Sequence, residues 1–166
     1  MADLEPFTPE AIEEHLRRAQ IRYTRDEDGR CLALYEPTTD RVCGLEAWYS
    51  AEGPQKGICS IRVGAIGLFP TDEQPVLLGL LNRWNSEMRW PKVYLLPTPE
   101  PSMLRLVGEG HLDLSCGVHA PGLDLFGLMI VGAAHTFFRW IEAERRSVEG
   151  ETIDFDELQR RLREES

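Results

Sequence analysis

Residues 57–67 read Gly57-Ile58-Cys59-Ser60-Ile61-Arg62-Val63-Gly64-Ala65-Ile66-Gly67, and this stretch decides the fold. Successive side chains of a strand point to opposite faces, so Cys59, Ile61, Val63 and Ala65 share an apolar side while Ser60 and Arg62 share the other. Upstream, residues 41–50 repeat the pattern, with Cys43, Leu45, Ala47 and Tyr49 on one side and Glu46 and Trp48 on the other. Residues 31–36 form a third strand that stops at Pro37. Three such strands predict an antiparallel meander with one apolar face and one mixed face.

Helices flank it. Thr8 is an N-cap candidate with Pro9 in the first helical position, and Phe7 with Ile12 suits a hydrophobic staple. Ile12, Leu16 and Ala19 make the inner stripe of a helix ending near Gln20. A second helix is predicted from Thr71 or Asp72, where Thr71 and Gln74 have capping-box spacing and Pro75 favours a slightly later start. Its stripe is Val76, Leu77, Leu80, Leu81, Trp84 and Met88, and Pro91 ends it.

Strands resume at 92–96, 102–107 and 111–116, the last two joined by a hairpin at Gly108-Glu109-Gly110. Leu104, Leu106, Leu112 and Leu114 would face inward; Arg105, His111, Asp113 and Ser115 would face outward. A long helix then covers about 122–146, apolar nearly all round in its first half. Its Gly127 and Gly132 lower helix propensity, so they point to close packing. A last short helix is expected after Gly150, with Asp154 and Glu157 as a capping pair and Phe155, Leu158 and Leu162 as a narrow stripe. The order α-βββ-α-βββ-α, plus a C-terminal helix, is α+β with a mainly antiparallel sheet.

Composition bounds the function. The chain of 166 residues has 42% apolar and 28% charged residues, ordinary for one globular domain. A net charge of −10 repels phosphate backbones and anionic lipid, which argues against direct nucleic-acid and membrane binding and favours a basic protein partner, including one that itself handles nucleic acid. The first residues carry no signal-peptide pattern, and the apolar run Leu125–Ala134 is too short to span a bilayer. The expected location is the cytoplasm. There Cys31, Cys43, Cys59 and Cys116, lacking C-x-x-C spacing, read as buried small side chains rather than a metal or disulfide set.

The run Leu81-Asn82-Arg83-Trp84-Asn85, continued by Arg89-Trp90-Pro91-Lys92-Val93-Tyr94-Leu95, resembles the signature of the YbjN family. Leu112-Asp113-Leu114 and Gly117-Val118 before the long helix are also similar to the family pattern, and the element order agrees over roughly residues 8–145. The resemblance implies a YbjN-like domain over 1–150, with a helical extension over 151–166 that the family does not require. It also implies a fold similar to type III secretion chaperones, which are small, acidic, usually dimeric proteins that hold an extended stretch of a partner. The family is described as a bacterial sensory-transduction or stress regulator.

The residues themselves supply candidates with competing readings. Trp48, Arg62 and Arg105 are placed to line a partner-binding groove on the mixed sheet face; the alternative is a solvated face, or one covered by the last helix. Leu128, Val131, His135 and Phe138 on the long helix suit a homodimer interface or the core. Asn82, Trp84 and Asn85 belong to the family motif and read as structural, with the asparagines capping the helix end and bonding to the backbone that enters the Trp90-Pro91 turn. His111, Asp113 and His119, near Cys116, offer the one reactive reading, a metal-dependent or thiol-based sensor or enzyme. No phosphate loop, nucleophile elbow, dinucleotide fingerprint or H-E-x-x-H is present. The expectation is therefore a non-catalytic protein-binding module, without cofactor or metal, that grips a flexible segment of a partner.

Overall fold

The computed structural model describes residues 4–37 and 44–150. Its elements are α1 (Pro9–Arg18), β1 (Tyr23–Arg25), β2 (Cys31–Tyr35), β3 (Leu45–Glu52), β4 (Ile58–Ala65), β5 (Phe69–Pro70), α2 (Gln74–Glu87), β6 (Lys92–Pro97), β7 (Met103–Asp113) and α3 (Ala120–Gly150). The seven strands form one antiparallel sheet in the order β1-β2-β3-β4-β7, with β6 on the far side of β7 and β5 beside its start. The fold is α+β, as the alternation predicts.

The meander keeps its predicted faces. Leu45, Ala47 and Tyr49 stand opposite Ala65, Val63 and Ile61, and all six are buried. Three helices pack on this covered face. α1 contributes Ile12 and Leu16, α2 contributes Leu77, Leu81 and Trp84, and α3 contributes seven residues from Leu123 to Ile141. By length and mean hydropathy (1.3 over the best window) α3 is apolar enough to cross a bilayer. Its core residues, however, are committed to the sheet.

Several expectations are corrected. Gly108-Glu109-Gly110 is no hairpin: residues 103–113 form one eleven-residue strand. The glycines are there for close approach. A Cβ on Gly108 would stand 2.8 Å from Pro91 Cγ, and one on Gly110 2.8 Å from Ile130 Cγ1. Two short strands, β1 and β5, were not anticipated, so five strands precede α2 and two follow it. β1 is too short to show alternation, and its hairpin turn is closed by the Asp26 side chain accepting the Arg30 amide N–H at 2.8 Å. α3 is longer than predicted at both ends.

Ala19 is exposed, and the third inner place on α1 goes to His15, 3% exposed. Val76 and Met88 lie outside the buried stripe of α2. Thr8 sits at the N-cap of α1 without a side-chain cap bond, and Thr71 begins a 3-10 turn that precedes α2. Cys116 is exposed rather than inward, because β7 ends at Asp113 before its parity reaches the cysteine; Cys31 and Cys59 are buried as expected. Cys43 and the predicted last helix lie outside the described residues.

Candidate protein-binding surfaces

The sheet has an open face, and it gathers the three predicted groove residues. Trp48 and Arg62 are cross-strand partners on β3 and β4, and Arg105 projects from β7 on the same side. They line one depression of about 330 Å³, with Arg30, Glu46 and Leu96 among its walls. Gly64 is among its lining, and a Cβ there would stand 3.3 Å from Glu46 Oε1. Glu46 and Arg105, an ion pair, reach toward each other from the strands on either side of β4. Arg30 stacks on the Trp48 ring, 5.9 Å from its centroid.

Each arginine of the groove has a carboxylate partner. Arg62 donates to Glu109 Oε1 from Nε (3.0 Å) and Nη2 (2.6 Å) and to Tyr94 Oη at 3.1 Å, while Tyr94 donates to Glu109 Oε2 at 3.0 Å. Burial works to lower the Arg62 pKa, but the hydrogen bond and charge of Glu109 outweigh it and raise it. Burial, then Glu109, pushes the Tyr94 phenol up. Arg30 pairs with Asp26 and Asp28. Glu109 was missed as a functional neighbour because its place between two glycines reads as a turn.

The edges of this sheet are blunt. The Asn85 side chain closes on β6 at both backbone groups of Val93: its Nδ2 donates to Val93 O at 2.9 Å and its Oδ1 accepts the Val93 N–H at 3.0 Å. Pro97 ends the strand, and β1 at the other edge is three residues long. Asn85 thus bonds to backbone, at a strand edge beyond the Trp90-Pro91 turn rather than at the turn itself. Trp84 is buried, donates to Pro91 O at 3.1 Å and packs edge-on to Phe137. Asn82 is exposed on α2.

The α3 candidates separate. Phe138 is 2% exposed, which removes it from an interface, because its side of α3 faces the core. Leu128, Val131 and His135 instead line a cleft beside α1. Above it runs a ridge of exposed apolar side chains: Leu125 (66%), Leu128 (73%) and Met129 (40%).

The reactive candidates have the following surroundings. His111 Nε2 lies 3.6 Å from Glu109 Oε1. Asp113 Oδ1 accepts the Ser115 N–H at 2.9 Å, which lowers its pKa. The His119 carbonyl accepts the Gly122 and Leu123 N–H groups at the start of α3. Among the described residues no group of three or more His, Cys, Asp or Glu side chains is arranged to hold a metal.

Comparison with known proteins agrees with this architecture. The family model YbjN, described as "Putative bacterial sensory transduction regulator", matches residues 8–143. No curated protein matches the chain. The crystal structure of YbjN from E. coli, described as "a putative transcription regulator", superposes with a TM-score of 0.68 at 12% identity, covering 86% of this chain and 96% of that one. At that identity the likeness shows the fold. The family match over most of the chain shows more: the chain belongs to the YbjN family.

Proposed function

We propose that this YbjN-family chain is a non-catalytic regulator that grips a flexible segment of another protein on the open face of its sheet. The observation that carries the reading is the convergence of Trp48, Arg62 and Arg105 in one depression on that face. An aromatic ring and arginines in a shared hollow are the residue types that dominate binding energies at protein interfaces. Asn85 occupies the backbone groups of Val93 on the β6 edge and β1 is only three residues long, which favours a segment lying across the face and read by side chains over strand addition.

Charge narrows the partner. The groove arginines are neutralised by Glu46, Glu109, Asp26 and Asp28, so a polyanion finds no free cation there. With −10 over the whole chain, a basic segment is the better match, including one from a protein that handles nucleic acid. The same proposal sets the protein in the cytoplasm.

The test is affinity capture from a bacterial lysate with the wild type and the double variant Trp48→Ser/Arg105→Glu. The reading expects a specific protein held by the wild type and lost by the variant. If the two retain the same proteins, the open face is not the binding surface.

The exposed ridge of α3 favours a second contact, a homodimer built on Leu125, Leu128 and Met129. Sedimentation of the wild type and Leu125→Glu at micromolar concentration checks it. A wild type that stays monomeric removes the dimer.

A further inference from the structure

The groove of the open face continues toward the place where the chain leaves the fold. A second hollow of about 360 Å³, lined by Leu68, Pro97 and Thr98, lies next to it. Arg105 lines both, so the two hollows make one trough. Its ends differ. Leu68 (39% exposed), Pro97 and Leu96 make the near end apolar. The far end holds Trp48 and Glu52. Glu52 accepts from Ser50 Oγ at 2.8 Å and has no cation partner among the described residues.

The near end adjoins the exit of α3. Arg145 donates to Glu73 Oε1 at 2.8 Å and stands over the Phe69 ring, 4.9 Å from its centroid. Phe69 pairs with Leu104 in the sheet, and Leu68 precedes it in the chain. α3 ends at Gly150, about 7.5 Å beyond Arg145 at 1.5 Å per residue. Residues 151–166 follow, and extended at about 3.3 Å per residue they reach about 53 Å. The trough is shorter. Glu52 is level with Ile58 and Asp113, and Asp113 is about 26 Å along β7 from Arg105.

The order of residues matches the trough. Ile153, Phe155 and Leu158 come first, and Arg160, Arg161 and Arg163 after them. In an extended chain Asp154 and Asp156 point away from the side that Ile153 and Phe155 share. Apolar side chains thus meet the Leu68 and Leu96 end, and guanidinium groups arrive where Trp48 and the unpaired Glu52 stand. The cleft beside α1 fits less well. Its only acidic lining residue, Asp124, is already taken by Arg18 and His15.

We propose that residues 151–166 lie in this trough in cis, as an internal competitor for the open face. The competition rests on the open face being the partner surface; the docking does not. The segment is apolar, then basic, the class of partner that the groove suits. An incoming partner must displace it against an effective concentration on the order of millimolar.

NMR of the full chain tests it, with synthetic peptide 151–166 as the probe. The variant Phe155→Ser/Arg160→Glu/Arg161→Glu alters no described element. It is expected to move the Gly64 amide and the Trp48 indole N–H and to leave the Gly127 and Gly132 amides, beside the α1 cleft, in place. The peptide should then bind the variant saturably at Gly64 and Trp48. It should bind the wild type at least about fivefold more weakly, because the tethered copy already fills the trough. Adding Glu52→Gln to the variant should weaken the peptide about twofold to fivefold, the worth of one exposed ion pair.

Identical wild-type and variant signals at Gly64 and Trp48 overturn the proposal. So do shifts at Gly127 and Gly132 in their place, which would put the segment in the α1 cleft. Wild-type shifts at Gly64 that follow protein concentration would show the segment of a second copy in the trough, and overturn it too. A docked segment together with a partner indifferent to Trp48→Ser/Arg105→Glu would remove only the open face as partner surface. A partner lost in that variant with no docked segment would remove only the internal competitor.

Discussion

The two faces of the sheet are made from the same strands, often from consecutive residues, and they obey different physics. Ile61 is fully buried on the covered face; Arg62, next in the chain, is exposed on the open one. The covered face is apolar and buried, and glycines 108 and 110 bring the Pro91 turn and α3 close against β7. The open face is held by a lattice of arginine–carboxylate pairs around one tryptophan. The first arrangement holds the fold together. The second costs little to disturb and is therefore free to be used for recognition.

The sharpest way to break this contrast is to change neighbours. Ile61→Ala should lower unfolding free energy by about 2–5 kcal/mol, because it removes buried methyl groups and leaves a cavity. Urea denaturation measures it. Next in size, Gly127→Ala should cost about 1–3 kcal/mol by driving a methyl group into the His15 ring, despite the better helix propensity of alanine. A stabilised Gly127→Ala would mean that α1 and α3 are not fixed against each other there.

On the open face, Arg62→Ala should cost about 1–2 kcal/mol, less than Ile61→Ala, because the arginine itself is exposed although its partner Glu109 is only 14% exposed. It should nevertheless lose the captured partner protein. A loss of stability comparable to Ile61→Ala would make the arginine lattice a structural device.

The smallest effect lies in acid. The Arg18 hydrogen bond, opposed by burial and aided by His15, holds the Asp124 carboxyl below its ordinary range. A depressed folded-state pKa gives stability that is present above the unfolded value, about 3.9. That stability is lost as pH falls through the folded value. Asp124→Asn should therefore cost a little stability at pH 6 and lose less than wild type between pH 5 and 2. Parallel acid curves for the two would remove the contact from the α1–α3 joint.

Alternation made much of this legible. It placed Leu45, Ala47, Tyr49, Ile61 and Val63 inside and Trp48, Arg62 and Arg105 outside, all as found. The facing of Arg105 and His111 survived even the wrong hairpin at 108–110, because strand parity passes through those three residues unchanged. What misled was glycine, which reads as a turn from its neighbours alone and serves here for helix approach. His15 escaped because a hydropathy stripe counts only apolar residues, and an imidazole is buried only if a distant partner exists; its Asp124 lies 109 residues away. Phe138 looked equally fit for core or interface, since periodicity does not say which flank of a helix meets the sheet.

The sequence by itself determined the α+β class, the two faces of the sheet and which residues each carries, because side-chain alternation is a local property of an extended backbone. Only the tertiary structure decided that Asn85 seals an edge, that Glu109 anchors Arg62, and that His15, Tyr49 and Val131 surround one cleft. Those facts depend on which distant segments meet, and the packing that brings them together is a property of the whole chain.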